Sequence, residues 1–375
     1  MFGTIVDHVR AFAAFDGMTL LFYGLMMAFS TLSCVKYDHD KAKGKDSYYW
    51  IIIGFVFVWF LLGASRVSGD YPNYVNIFKN SLSGDDWMEK LFMVLNRLVR
   101  YFTDSFEVFN FIRAGIFISL VCVFLLLFRK EVFTSIFMLC FTGVYALESQ
   151  NFMRTYLSAS ICFVALYFLF NRKLISYCVL ITVAFFIHRG TIVMIIPLIY
   201  YVFVVIFPER KNWHYVLVSA VSLLLLFLIV FFRRYIFSRS WFPKTYYGVN
   251  EEGKLGIACF VYHLPIVVLF VLSLFEDFVD QKWRDFSFVG MLCSFCHDVV
   301  SYYTLGIGRM WAYFFPVFGL CASHFLYIGI RKSKWRKWYI VGLVAYVLFI
   351  LMRILIQTEY FIPYGIMPYE TVFQA

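Results

Sequence analysis

The sequence predicts an all-α, polytopic integral membrane bundle of about twelve transmembrane helices with an outward-facing cavity, a single membrane domain over residues 1–375. Three observations predict it. The chain is 62% hydrophobic with a mean hydropathy of +0.77, whereas a soluble domain is only about half apolar. Apolar runs of near-spanning length recur along it. Alternate connections between those runs are short and lysine-rich.

The runs, taken in order, are 18–35, 49–64, 106–128, 132–147, 154–170, 174–188, 190–207, 215–232, 257–275, 286–305, 311–330 and 338–356. No basic stretch precedes the first, and Asp7, Arg10 and Asp16 interrupt the start, so no cleavable signal peptide is expected. The connections Lys36 to Lys45, Arg129-Lys130, Arg172-Lys173, Arg210-Lys211, Lys282 to Arg284 and Arg331 to Lys337 are assigned to the cytoplasmic side by the positive-inside rule. Both termini and two long loops, 65–105 and 232–256, then face outward. The formal charge of +10 is divided between two membrane faces, and a nucleic-acid partner is not expected.

The division of cations is uneven. The inner loops carry eleven Lys to six Arg, whereas the outer face and span edges carry Arg10, 66, 97, 100, 113, 154, 189, 233, 234, 239, 309 and 353 against four Lys. Guanidinium forks grip phosphate oxygens in pairs, so an arginine-rich outer vestibule suits a phosphate or diphosphate ligand, although helix-end snorkelling accounts for some of the set.

In the first outer loop, Arg66 and Asp70 are four apart and pair if they share a helical turn, whereas Gly69 and Pro72 argue for a bend that aims Asp70 elsewhere. Tyr71 and Tyr74 could line a sugar site or gather at the interface as amphipathic rings. The stretch from Trp87 to Phe102 is amphipathic but too short and charged to span, and is expected to lie along the outer surface.

The hairpin that follows is central. Arg154 opens an apolar run ending at Phe170, Asn171-Arg172-Lys173 turns the chain, and Leu174 to Ile187 returns to His188. At roughly 1.5 Å per residue each arm is about 20–26 Å long, so Arg154 and His188 are expected at one membrane face, side by side. A cation and an imidazole at the lip of a membrane hairpin are functional candidates by default.

Beyond it, the loop 232–256, with Arg233, Arg234, Arg239, Trp241, Tyr246 and Tyr247, reads as a lid or as a disordered segment. Asp298, Tyr302 and Arg309 share a face if their helix continues through Gly306 and Gly308. The tail with Pro363-Tyr364 and Pro368-Tyr369 is either a fixed segment against the outer mouth or a free end. The cysteines lie in or beside apolar runs, so no disulfide framework is expected, and Cys293-Ser294-Phe295-Cys296-His297 is read as a packed span and not as haem attachment. No zinc spacing and no HExxH, GxSxG, P-loop or GxGxxG pattern occurs, so no metal or cofactor is expected and a pre-activated substrate is.

Several of these pieces together resemble the EpsG/Wzy-type bacterial polysaccharide polymerases. They are Arg66 with Gly69-Asp70-Tyr71 and Tyr74, Arg154 after Glu148-Ser149-Gln150-Asn151, Phe186-Ile187-His188, Gly308-Arg309 with Tyr313-Phe314, and Pro363-Tyr364. The family often has Gln after the arginine corresponding to Arg154, where this chain has Thr155, and here Arg189 follows His188. The resemblance implies a glycosyltransferase of the bacterial inner membrane with its active site facing the periplasm or cell exterior. Its donor and acceptor would be undecaprenyl-diphosphate-linked oligosaccharides in O-antigen, capsule or exopolysaccharide synthesis, with membrane lipid and a chain-length regulator as further partners. On that footing Arg154 and Arg309, assisted by Arg66 or Arg189, hold the diphosphate. His188, or alternatively Asp70, is the general base, and Tyr71, Tyr74 and Tyr313 contact sugar. An O-antigen ligase-like transferase, a lipid-linked sugar transporter or flippase, and a membrane O-acyltransferase are the competing classes.

Overall fold

A computed structural model describes residues 17–66, 70–83, 88–198, 201–202, 206, 212–232, 235, 267–276, 279–303 and 312–361. Helices carry the described chain, as the all-α expectation requires. They are α1 (Gly17–Ala42), α2 (Tyr49–Ala64), α3 (Tyr71–Lys79), α4 (Lys90–Phe102), α5 (Phe106–Phe128), α6 (Thr134–Cys140), α7 (Met153–Phe170), α8 (Leu174–Phe185), α9 (Asn212–Phe231), α10 (Gln281–Tyr303), α11 (Phe315–Lys332) and α12 (Arg336–Phe361).

Among the described residues, Phe106–Phe128, Met153–Phe170 and Trp213–Phe231 are both long and apolar enough to cross a membrane, and Tyr49–Ala64, Thr134–Gly143 and Leu174–Phe185 are shorter apolar helices. The expected runs shift at several ends. Helix α1 continues past its apolar part to Ala42, because Lys36 and Asp40 pair one turn apart at 2.8 Å and extend the helix into polar sequence. The run expected from 190 begins as a 3-10 helix (Arg189–Ile195), tightened where the Tyr177 hydroxyl donates to the Met194 carbonyl. The run 132–147 is not one regular helix: α6 opens into a π-helical turn (Phe141–Tyr145) before Ala146–Glu148. Thr142 donates back to the Met138 carbonyl at 2.8 Å, and the Tyr145 hydroxyl reaches across to the Ala312 carbonyl at 2.7 Å.

Packing follows composition. Helix α2 lies against α1 and α5, and α7 lies against α5 and α8. A Cβ on Gly54 would sit 3.0 Å from the Ser30 carbonyl oxygen, so the glycine permits the close α1–α2 approach. Helix α7 contains Ser158, Ala159, Ser160, Cys162 and Ala165, all buried, and small residues of this kind let neighbouring backbones come near in a membrane interior. Helix α9 is the opposite case, with Leu223, Leu224, Leu225, Phe227 and Phe231 exposed as lipid-facing residues would be.

Among the described residues, five of the lysine-rich connections gather at one end of the bundle. Arg129 after α5 grips Asp46 before α2 with Nε at 3.1 Å and Nη2 at 2.7 Å, and this guanidinium holds the Asp46 carboxyl below its usual range. Asp38 of α1 caps α6, accepting from the N–H groups of Thr134 and Ser135 at 3.1 and 2.9 Å and from both hydroxyls. Lys282 reaches Asn171 in the α7–α8 turn at 2.7 Å. Helices α3 and α4 pack at the opposite end, where the hairpin opens.

Candidate functional site

The turn between the π-segment and α7 is built first, because it aims Arg154. Arg113, fully buried in α5, donates to Asn110 Oδ1 at 2.7 Å, to the Ser149 carbonyl at 3.4 Å and to Gln150 Oε1 at 3.5 Å. Asn110 in turn donates to the carbonyls of Gly63 and Ser65 at 3.2 and 3.1 Å, and Gln150 to that of Leu62 at 3.2 Å. These bonds tie the end of α2, the body of α5 and residues 149–150 together, and each satisfies a buried polar group. Asn151 Oδ1 accepts from the Asp70 N–H at 3.1 Å, which brings the start of α3 to the same turn.

Arg154 follows in the first turn of α7. A cation there faces the positive end of the helix dipole, a placement disfavoured by about 0.3–1 kcal/mol, so it calls for a compensating anion. Glu89 supplies it. Its Oε2 lies 2.5 Å from Arg154 Nη1, and its Oε1 accepts from the backbone N–H of Arg189 at 3.2 Å. Burial pushes the Glu89 carboxyl up, but Arg154, its own and the Arg189 N–H groups, and His188 outweigh burial and leave it below the usual carboxylate range. The Leu91 N–H bonds the Phe186 carbonyl at 2.9 Å, so the first turn of α4 is fastened to the end of α8 by backbone as well.

His188 is extended (φ −154°, ψ 119°) between α8 and the 3-10 helix, which turns its ring back onto α7. Its Nε2 is 3.4 Å from Thr155 Oγ1 and its Nδ1 3.0 Å from the Tyr313 hydroxyl. Ser158 donates to the Thr155 carbonyl at 2.9 Å and shares a hydrogen bond with the Tyr313 hydroxyl at 2.7 Å. In the tautomer with its proton on Nδ1, His188 donates to the Tyr313 oxygen, and Nε2 is the acceptor that faces Thr155.

Arg154, His188, Tyr313 and the backbone of Arg189 therefore meet at one hairpin end. The Arg189 side chain is exposed. Tyr313 is fully buried, its hydroxyl shared among His188, Ser158 and Thr191. Tyr74 is also buried and hydrogen-bonds Arg154, while its ring meets Phe92 edge-on with centroids 6.1 Å apart. Tyr71 is half-buried against Phe106, centroids 5.0 Å apart, and burial pushes its hydroxyl up to about 12. Arg66 and Asp70 do not share a helical turn. Helix α2 stops at Ala64, Arg66 pairs with Glu107 at 3.1 Å, and Asp70 stands at the start of α3 without capping it through its side chain.

Arg309, Arg233, Arg234, the loop 236–256 and the tail from Ile362 lie outside the described residues, as do the side chains of His297, Asp298 and Tyr302. Sequence reasoning missed Glu89 and the anchoring role of Arg113. An arginine opening an apolar helix signals that a carboxylate partner exists, but several acids in the outer loop could have been that partner. Among the described residues no group of three His, Cys, Asp or Glu side chains is placed to hold a metal ion.

The profile of the EpsG family matches residues 48–371, which takes in the α7–α8 hairpin, the outer loop and the chain through α12. The chain belongs to the EpsG family. No curated protein and no solved structure matches it. EpsG membership and the apolar helices together point to a membrane enzyme of the polysaccharide-polymerase type. In this EpsG protein Thr155 is the residue that faces His188 Nε2.

Proposed function

We propose that this protein is a polysaccharide polymerase that joins undecaprenyl-diphosphate-linked oligosaccharide repeat units at the outer face of the bacterial inner membrane. The product would be O-antigen, capsule or exopolysaccharide. The observation that carries this reading is the meeting of Arg154 and His188 at one end of one membrane hairpin, with both imidazole nitrogens facing hydroxyl groups.

In the proposed reaction an acceptor sugar hydroxyl attacks the anomeric carbon of the donor glycan. The new carbon–oxygen bond forms as the bond to the diphosphate breaks, and the bonding pair leaves with the diphosphate. The hydroxyl proton goes to His188 Nε2, while Arg154 stabilises the charge developing on the leaving group. Arg309 and the Arg189 guanidinium are proposed as further diphosphate contacts, with Arg66 nearer the rim. Asp70, Tyr71 and Tyr74 on and before α3 would border the sugars. The polyprenyl tail stays in lipid, so the cavity opens sideways as well as outward. No nucleotide or metal enters the scheme, because the diphosphate bond is already activated.

Purified protein incubated with synthetic undecaprenyl-diphosphate repeat unit should give a regularly spaced ladder on a gel, with EDTA leaving it intact. Arg154→Ala and His188→Ala, confirmed folded by thermal melting, should give none. A ladder retained by both variants would place the chemistry elsewhere, and a wild type that makes no ladder from its own repeat unit would refute the polymerase assignment.

A further inference from the structure

Arg154 is incompletely satisfied in the resting protein. A guanidinium offers five N–H donors in a planar fork suited to two acceptor oxygens at once. Here Glu89 engages it through a single Nη1 contact, the Tyr74 hydroxyl is its other side-chain partner, and Arg154 Nε is buried without a hydrogen-bond partner among the described residues. An unpaired buried donor is costly, and the site is left short of acceptors. The two side chains remain 24% and 11% exposed, which leaves the pair reachable by a solute. Glu89 also bridges, through its second oxygen, to the Arg189 N–H on the other arm of the hairpin. Its carboxylate thus lies between a guanidinium and a backbone donor, beside His188, as an anion with oxygens on two sides would.

We propose that Glu89 is the resident anion of this site, holding Arg154 and the Arg189 N–H until a diphosphate displaces it and returning when the diphosphate leaves. Two anions cannot share one guanidinium without mutual repulsion, so binding the diphosphate and releasing Glu89 are one exchange. The diphosphate brings more oxygens than a carboxylate and can reach the unpartnered Nε–H, which gives it the advantage on entry. Run backwards, the exchange lets Glu89 expel the product diphosphate once the glycan has been transferred. Glu89 therefore acts through Arg154, as a positioning residue that sets how tightly the anion is held. In naming diphosphate as the exchanging anion, this rests on the polymerase reading above.

The test is isothermal titration of inorganic pyrophosphate into the full chain in lipid nanodiscs, for wild type, Glu89→Gln, Glu89→Asp and the double variant Glu89→Gln/Arg154→Ala. Glutamine keeps the shape and removes the competing charge, so it should bind pyrophosphate about tenfold or more tighter than wild type. Aspartate, one methylene shorter and less firmly paired, should show a smaller gain in the same direction. The double variant should lose the gain. A carboxylate that merely braced α4 against α8 would leave affinity equal or weaker in Glu89→Gln, and that result overturns the proposal. So does a gain that survives removal of Arg154, or no binding by any variant. Glycan ladders run in parallel separate the two claims. A pyrophosphate gain without a wild-type ladder keeps the resident anion and refutes the polymerase, whereas a ladder without the gain does the reverse.

Discussion

The assignment of His188 turns on one hydroxyl. For His188 to act as a base through Nε2, Tyr313 must accept the Nδ1 proton, which it does when its own proton goes to Ser158 or Thr191. Tyr313→Phe removes the acceptor but keeps the ring in its buried place, so it should lower kcat on the order of tenfold or more with little change in donor KM. Ser158→Ala leaves the Tyr313 oxygen in place and should cost less. Comparing kcat and KM of the two variants with their melting temperatures checks this, because a packing role for Tyr313 would move stability first. Glu89 makes a separate prediction about pH. Its carboxyl titrates lower in the fold than in the unfolded chain, so the unfolded state binds more protons at acid pH. The stabilisation from its ion pair is fully present above the ordinary carboxylate value of about 4.3 and is lost as pH falls through the folded value. The wild type should therefore melt above Glu89→Gln at neutral pH, and the gap should close on acidification. A gap that widens as pH falls would mean that Glu89 is not ionised in the fold.

At the scale of elements, the end away from the site is fastened by short polar contacts that should be separable from activity. Asp38→Ala strips four bonds from the start of α6 and leaves Lys41, 3.2 Å from that carboxylate, without its charge partner. A loss of about 1–3 kcal/mol is expected, read as a lower melting temperature, with glycan-forming activity per folded molecule unchanged. The α7–α8 hairpin could be read from run length alone, since two arms of similar rise must return Arg154 and His188 to one face. Helix α4 could be read from its amphipathic period. The irregular pieces could not. The π-turn at Phe141–Tyr145 depends on Tyr145 reaching Ala312, and the Glu89–Arg154 pair joins residues whose proximity depends on α4 docking to α8. Apolar patterning records which face of a helix is buried but not which distant polar group meets it. Arg113 is the extreme case: its charge suggested a span edge, whereas the fold buries it completely among neutral oxygens.

For the whole molecule, the two ends differ in chemistry. One carries the Asp46–Arg129 grip, the Asp38 cap and the α7–α8 turn with Lys173. The other carries α3, α4 and the open hairpin with Arg154 and His188. The positive-inside rule assigns the first to the cytoplasm and the second to the outside, which is also the side on which lipid-linked glycan would be joined. Ser83, between α3 and α4, and Lys173 are both exposed, so each can report on its side. With Cys178, an exposed native thiol, replaced by Ser, Ser83→Cys should react with a membrane-impermeant maleimide on intact cells or spheroplasts. Lys173→Cys should react only after permeabilisation. The reverse pattern would put Arg154 and His188 at the cytoplasmic face, where a polymerase of undecaprenyl-linked units acting outside could not use them. Labelling of both sites without permeabilisation would mean that the α7–α8 hairpin does not cross the membrane, and the shared end of Arg154 and His188 would then need another explanation.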